Sequence, residues 1–305
     1  MFRFPNEEAR IEAIKVSFAD RLDFADDFCK AWLEAPRSRW FSGLSPEVRE
    51  LGTRIATQAF RQFRSVVEEC RRGEGFCGDI IGRSLFETTV AIGFLTKPII
   101  AIELKPILDK QTKQHLKTDE GAWRYRAAVD NSDSPDNRLT REFREKLYRA
   151  HDAFSNLVFF ERLAAVPDSG DRPLPLAEML EVLRAEELTH TNAIGAEWAY
   201  VLKDRETYSG LGIAETTAIV CPHLVYVYNV AFKGQCTKVH AAGALNIREW
   251  FSSDDEINGT LRVATMLMLR QADLLQKHLE VNESDGIDLE PWLNRFMSRA
   301  DGKRV

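Results

Sequence analysis

This sequence of 305 residues has little cysteine, no long uninterrupted apolar run and no strong excess of charge of either sign. Its five cysteines are odd in number and show neither CxxC nor Cys/His ligand spacing, which argues against a disulfide framework or a zinc site. We expect them to be small, reduced core residues. The 41 basic and 47 acidic residues give a formal charge of −6. No global field therefore favours nucleic acid or an anionic membrane, although a locally basic face is compatible with this balance.

The sequence also lacks the usual signals for membranes, nucleotides and metal-dependent hydrolysis. Its most apolar stretch, Val90–Leu104, is interrupted by Lys97, Pro98 and Glu103 and is too short and polar to span a bilayer. The first residues lack the apolar core of a signal peptide, so we expect a cytosolic protein without a membrane role. GxxxxGK[ST], GxSxG and HExxH patterns are all missing. We accordingly predict neither a cofactor nor a metal.

What the sequence does contain is apolar residues at spacings of three and four, with almost no sustained alternation. This periodicity predicts an all-α, bundle-like protein of about ten or more helices in which strands are scarce. One helix is expected to begin at Ser45-Pro46 and another at Ser253. The first has a clear buried stripe, formed by Leu51, Ile55, Ala59, Phe63 and Val66.

Three segments are harder to assign. We predict a helix over Ile99–His115. The segment HLVYVYNVAF, residues 223–232, is rich enough in β-branched and aromatic residues for a strand, but a buried helix is favoured in this helical context. The proline-rich and glycine-containing segment 167–175 predicts a boundary between an N-terminal helical half, 1–166, and a C-terminal half, 176–305, that packs on it. A single domain is the alternative.

Two charged residues stand out in an apolar helical segment. Arg83 and Glu87 are four residues apart in a stretch that is apolar on nearly every side, so we expect them on one face and largely buried. Buried charges must be paired, since otherwise desolvation costs several kcal/mol, as an order of magnitude. A purely structural salt-bridge ladder with Asp79 is the first interpretation. His240, which follows an apolar stretch and precedes small residues, is expected at a helix interface and by itself is also more typical of a structural residue.

These residues carry a family resemblance. Arg83-Ser-Leu-Phe-Glu87, followed downstream by Phe232, Cys236, Val239 and His240, resembles the pattern RSLFE with Y-x3-S-x2-VH of the DUF5677 family of uncharacterised bacterial helical proteins. Phe232 and Cys236 depart from that pattern, where tyrosine and serine are expected. The resemblance implies that Arg83, Glu87 and His240 converge.

Such proteins are similar to HEPN-type helical bundles, many of which cleave RNA with an Arg-x4–6-His motif at a dimer interface. Two segments match that motif, Arg144–His151 and Arg184–His190. The first lies in the most basic part of the chain, where a phosphate could be held, although a charge-balanced solvated helix is the favoured interpretation. The second lies among several glutamates that would repel RNA.

Glu187 and His190 have the Glu-x-x-His spacing of di-iron bundles. A second such pair is missing, so a solvated acidic face is the better interpretation.

Two functional hypotheses follow from these patterns. In the first, the protein is RNA-directed, a ribonuclease or toxin-like stress or phage-defence component. His240 would then be the general acid/base, Arg83 would hold a phosphate and Glu87 would orient one of them, with Arg144 and His151 as the alternative site. In the second, Arg83, Glu87 and His240 form a structural network in a non-catalytic interaction or regulatory protein. A homodimer or a protein partner is compatible with both.

Overall fold

The computed structural model describes residues 7–35, 46–97, 99–106, 123–129, 138–139, 141–165, 176–205, 207–229, 252–278 and 286–300. Contacts divide the chain into two compact units. Unit 1 consists of Met1–Thr96 and His223–Val305, and unit 2 consists of Lys97–Pro222. Unit 1 is therefore formed by two segments that are separated in the sequence by all of unit 2.

The secondary-structure elements that the structure describes in unit 1 are all helices. Its main helices, in chain order, are α1 (Glu7–Ser17), α2 (Ala19–Glu34), α3 (Pro46–Arg71), α4 (Gly75–Thr96), α10 (Asp254–His278) and α11 (Glu290–Ala300). Before α10, a 3-10 turn at Pro222–Leu224 leads into the short helix α9 (Val225–Val227). This confirms the helical interpretation for the described part of the segment 223–232, but the predicted burial holds only for Leu224 and Val227, and Tyr226 is 73% exposed.

The core of unit 1 is the packing of α3, α4 and α10. All five residues of the predicted apolar stripe on α3 are buried. Glycines allow α4 to approach its neighbours closely, since a Cβ at Gly78 would lie 3.1 Å from Cγ2 of Thr260 on α10 and 3.2 Å from Sγ of Cys70 on α3. Trp292 of α11 packs edge-on against Phe28 of α2, with ring centroids 5.1 Å apart.

The α10 helix begins where the sequence predicts. The Ser253 hydroxyl accepts a hydrogen bond from the backbone N–H of Glu256 at 3.2 Å, which satisfies one of the free donors of the first turn. From there a continuous apolar side faces α3 and α4, with Leu261, Leu267 and Leu275 among its buried residues. The capping residue and the apolar periodicity therefore predict the same helix.

Unit 2 contains a small antiparallel sheet and a set of packed helices. Its strands are β1 (Ile99–Pro106), β2 (Trp123–Val129) and β3 (Arg138–Leu139), in the order β2-β1-β3. Its helices are α5 (Arg141–Ala165), α6 (Leu176–Ile194), α7 (Ala196–Arg205) and α8 (Ile213–Val220). The helices α5 and α6 form the main contact, and α7 packs on both of them.

The all-α, multi-helix prediction is confirmed, with one local correction. The predicted helix over Ile99–His115 is wrong for its first eight residues, which form β1. β1 pairs with β2 from Ile99↔Val129 to Pro106↔Trp123, with an irregularity between Ala101 and Leu104. Its first three residues are Ile-Ile-Ala, and β-branched side chains favour a pleated strand when a partner strand is present. Residues 107–115 lie outside the described residues.

The observed units also differ from the predicted halves 1–166 and 176–305. The proposed boundary, 167–175, lies outside the described residues, but α5 and α6 on either side of it pack against each other within unit 2. The polar segment therefore connects two helices of one unit. Chain composition indicates a loop there, whereas unit membership depends on contacts that are distant in sequence.

Candidate functional site

The predicted pair of Arg83 and Glu87 forms on α4. Nε of Arg83 lies 3.4 Å from Oε1 of Glu87, as expected for residues one helical turn apart. The predicted deep burial is wrong, because the two side chains are 30% and 45% exposed. The positions next to them, Leu85 and Phe86, are buried while Ser84 is exposed. The apolar sequence of α4 therefore still leaves a narrow outer side, and this pair lies on it.

Asp79, one turn before Arg83, has a connection to another helix. Its Oδ1 accepts a hydrogen bond from the Thr260 hydroxyl of α10. Asp79 thus contributes to the packing of α4 on α10. Asp79, the first residue of the predicted ladder, therefore has a structural role.

The third member of the predicted centre cannot be placed. His240, together with Phe232, Cys236 and Val239 of the downstream motif, lies outside the described residues. The convergence of Arg83, Glu87 and His240 stays a prediction. What the geometry of α4 supplies is a solvent-accessible guanidinium and carboxylate that contact each other.

The alternative site, Arg144 and His151, lies on α5. Arg144 is only 3% exposed and its guanidinium donates to the backbone carbonyl of Lys97. His151 is partly exposed, its Nε2 lies 3.4 Å from the Ser155 hydroxyl, and its ring packs edge-on against Tyr208. Arg144 is thus directed toward the backbone rather than presented to a solvent-borne phosphate.

The other charges on this part of α5 balance one another. Lys146 pairs with Glu142 at 2.8 Å, and Arg149 pairs with Glu145 at 2.9 Å. The interpretation of a charge-balanced helix is therefore supported by both i,i+4 pairs. Unlike a simple solvated face, however, the segment buries one of these carboxylates, since Glu145 is 5% exposed.

The second Arg-His match and the Glu-x-x-His pair lie on α6. Arg184 contacts Glu161 of α5 at 3.3 Å, and His190 lies 3.9 Å from Glu186. Glu187 accepts hydrogen bonds from Lys203 at 2.7 Å and from the Thr191 hydroxyl at 2.9 Å. Burial raises the pKa of Glu187, but these two hydrogen bonds and the Lys203 charge outweigh it and lower the pKa.

Glu187 is therefore an ion-pair partner that holds α6 on α7. Within the described ranges, no group of three or more His, Cys, Asp or Glu side chains is arranged to hold a metal ion.

The four cysteines that the structure describes are free thiols, and Cys70 and Cys221 are buried. Burial, with smaller contributions from nearby carboxylates, raises the pKa of Cys70 to about 12. Burial likewise raises the pKa of Cys29 to about 11. Both therefore stay protonated at neutral pH, which is unsuitable for a nucleophile.

A polar feature that the sequence analysis passed over lies in the core of unit 1. Gln271 of α10 is fully buried, and its Nε2 donates to the Thr89 hydroxyl of α4 at 2.6 Å and to the Leu85 carbonyl at 3.5 Å. The Thr89 hydroxyl in turn donates to the carbonyl of Leu85. The Oε1 atom of Gln271 is buried and makes no hydrogen bond to the described residues. In the sequence, this glutamine lies within the apolar stripe of α10, and its position there is the signal that could have revealed the feature.

A second missed feature is the outer side of α3. Between Glu50 and Glu68 the chain carries three arginines and no acidic residue. Arg54, Arg61 and Arg64 are exposed and make no ion pair with any described residue. We call them, with the exposed neutral residues between them, the α3 arginine face. The lack of acidic residues over this stretch could have revealed it from the sequence.

The spacing of these arginines places them on one side of α3. Arg54 and Arg61 are seven residues apart, close to two helical turns, and Arg64 follows one turn later. They extend over about 15 Å of the helix axis. By contrast Arg71, near the end of the same helix, is engaged with Asp26 and Glu68. The α3 arginine face is thus an unneutralised positive strip in a protein of net negative charge.

No helix in the described part of the chain combines the length and the apolar character needed to cross a bilayer. Comparison of the chain with protein-family models, with curated proteins and with solved structures gives no match. The resemblance to the DUF5677 family and to HEPN-type bundles therefore stays a prediction.

Proposed function

We propose that this protein is an RNA-directed, cytosolic helical protein that holds the phosphate backbone on the α3 arginine face. The observation that carries the proposal is the set of three exposed arginines that form no ion pair with any described residue, in a stretch without acidic residues. Guanidinium groups bind phosphate oxygens in a fixed fork geometry, and such contacts are independent of base sequence.

The catalytic part of the proposal is separate from binding. It assigns Arg83 to a phosphate, Glu87 to orientation and His240 to general acid/base chemistry. The partial exposure of Arg83 and Glu87 supports it, because a phosphate can reach groups that lie at the surface.

A non-catalytic role is the second candidate, and the burial of Arg144 favours it. That residue belongs to the best Arg-x4–6-His match but is committed to the Lys97 carbonyl. Under this candidate the protein binds partners without cleaving them.

Binding is tested by fluorescence anisotropy with a labelled single-stranded RNA of mixed sequence. The test variant replaces Arg54, Arg61 and Arg64 by glutamine. The control variant removes the same charge elsewhere by replacing Arg162, Arg262 and Lys277, which are also exposed and without a described ion pair. Each phosphate contact contributes about 0.7 to the slope of log K against log salt for single strands, so the test variant should lower that slope by about 2.

Two results would contradict RNA binding by this face. One is the lack of any binding by the wild type at low salt, and the other is an equal loss in the test and control variants. Cleavage is followed in parallel on the same RNA with Arg83→Ala, His240→Ala and His151→Ala. Cleavage lost with Arg83→Ala and His240→Ala supports the catalytic assignment, whereas loss only with His151→Ala moves the site to α5. Binding without cleavage by any of these proteins favours the non-catalytic candidate.

A further inference from the structure

A surface of unit 2, independent of the α3 arginine face, has the character of a docking site. On the outer side of α6, Val182 is 66% exposed and Leu188 is 58% exposed. Ala185 lies between them and is also exposed. Residues three apart are neighbours on a helix surface, so the three side chains form one slanted apolar line. We call this line, with the acidic residues beside it, the α6 outer face.

Three exposed carboxylates border the apolar line. Glu178 and Glu186 lie one turn before and after Val182, and Glu181 lies next to it. Neither Glu178 nor Glu181 forms an ion pair with any residue in the described ranges, and the contact of Glu186 to His190 is long, at 3.9 Å. The α6 outer face is thus a short apolar line with carboxylates at its N-terminal end and beside it. The exposed Arg184, one turn before Leu188, is paired with Glu161 of α5.

The rotation of α6 about its axis is fixed by contacts on the other side. Leu180 is buried, Arg184 contacts Glu161 of α5, and Glu187 contacts Lys203 of α7. Turning α6 to bury Val182 and Leu188 would break these contacts. The exposure of the apolar line therefore results from the packing of unit 2 itself.

We propose that the α6 outer face binds an amphipathic helix of another protein whose apolar side is flanked by lysine or arginine. Helix-in-groove recognition of this kind uses apolar anchors at helical spacing, and rim charges set specificity and association rate. A symmetric contact between two copies of α6 is disfavoured, because it would place the carboxylates of one copy against the same carboxylates of the other. The small apolar area indicates a weak, transient complex.

The probe is a labelled helical peptide with leucine along one side and lysine or arginine on both flanks. A second peptide carries glutamate in place of each basic residue. Fluorescence anisotropy of the full chain should show binding of the basic peptide only. The double variant Val182→Ser/Leu188→Ser should weaken binding by about tenfold or more, since it removes two apolar anchors.

The matched control is Val16→Ser/Leu33→Ser, which changes the same residue types at exposed positions of unit 1, 72% and 53% exposed. It should leave peptide affinity unchanged. Glu178→Gln/Glu181→Gln should weaken binding and reduce its salt dependence. All substituted residues are exposed, so melting temperatures should stay close to that of the wild type, which separates lost binding from lost folding.

Three outcomes would overturn the proposal: no binding of the basic peptide by the wild type, equal binding of the acidic peptide, or equal loss in the Val16/Leu33 control. Sedimentation of the wild type and the Val182/Leu188 variant adds a fourth. If the wild type is a dimer that this variant dissociates, the occupant is a second copy and the proposed partner is wrong. RNA binding is measured on the same variants, and its failure or success leaves these outcomes unaffected.

Discussion

Replacing Gln271 by methionine should stabilise the protein, although Gln271 makes one of the shortest hydrogen bonds in the core of unit 1. The side chain is fully buried, and its amide donates to the Thr89 hydroxyl at 2.6 Å while Oε1 is without a described partner. Methionine has nearly the same volume and brings no polar group into the core. The substitution thus gives up one short hydrogen bond, to Thr89, and one long one, to the Leu85 carbonyl at 3.5 Å, and it removes one unsatisfied buried acceptor.

The magnitude follows from these two opposing contributions. The lost hydrogen bond costs about 0.5–1.5 kcal/mol, and removing the unsatisfied carbonyl returns about 1–3 kcal/mol. Thr89 loses only an incoming bond, since its hydroxyl still donates to the Leu85 carbonyl at 2.8 Å. Gln271→Met should therefore raise the free energy of unfolding by about 1 kcal/mol. Thr89→Val should instead lower it by about 1–3 kcal/mol, because the buried Gln271 amide would then keep only its long hydrogen bond to the Leu85 carbonyl, at 3.5 Å, while Oε1 stays without a described partner.

Urea denaturation followed by circular dichroism measures both variants and the double variant. The Thr89→Val change should cost much less in the Gln271→Met background, which gives a coupling free energy of about 1 kcal/mol or more. A loss of more than about 1 kcal/mol for Gln271→Met alone would refute the reasoning, since it would mean that Oε1 is satisfied, for example by a buried water.

Four further predictions follow from the packing and the electrostatics of the described residues. Gly259→Ala should raise the unfolding free energy by about 1 kcal/mol through helix propensity, because its Cβ would meet nothing within 4 Å. Gly78→Ala should be less favourable than Gly259→Ala by about 1 kcal/mol or more, since its Cβ would crowd neighbouring side chains; equal values would contradict the close approach of α4. Burial and nearby carboxylates raise the pKa of Glu74 above 4.5, so ionisation of this carboxyl destabilises the fold. Glu74→Gln should therefore raise the melting temperature at pH 7, and this gain should disappear below about pH 4.5. A gain that does not depend on pH would contradict this reasoning. Arg144→Gln should lower the stability of unit 2 by about 1–3 kcal/mol, and by more than His151→Ala, which removes a partly exposed ring that contacts Tyr208; the reverse order in thermal melts would contradict the assigned roles.

Local patterns predicted the helices of unit 1 well. The apolar stripe of α3 and the capped start of α10 are properties of neighbouring residues, and both are present in the structure. The strand β1 was missed because its pairing with Trp123–Val129 involves residues about two dozen positions away, and such pairing overrides local preference. Chain order likewise suggested two successive halves, whereas unit 1 is assembled from both ends of the chain.

The candidate site could be predicted only in part. The i,i+4 contact of Arg83 and Glu87 follows from helix geometry alone. Their exposure does not follow from helix geometry, because it depends on which side of an apolar helix its neighbours leave uncovered. The direction of Arg144 could not be predicted either, since the carbonyl that it contacts precedes it by 47 residues. The α3 arginine face was readable from the sequence through its lack of acidic neighbours, but whether its arginines are paired is decided by the surrounding helices.

The split of unit 1 has a consequence for biosynthesis. Thr89 and Gln271 are separated by 182 residues, so α4 leaves the ribosome long before its partner α10. At about 5–20 residues per second, the interval is about 10–40 s. During that time the glycine-lined, apolar side of α4 is without the helix that covers it in the finished protein, while all of unit 2 is being translated. Nascent chains stalled before α10 should consequently be the ones that chaperones bind and proteases degrade.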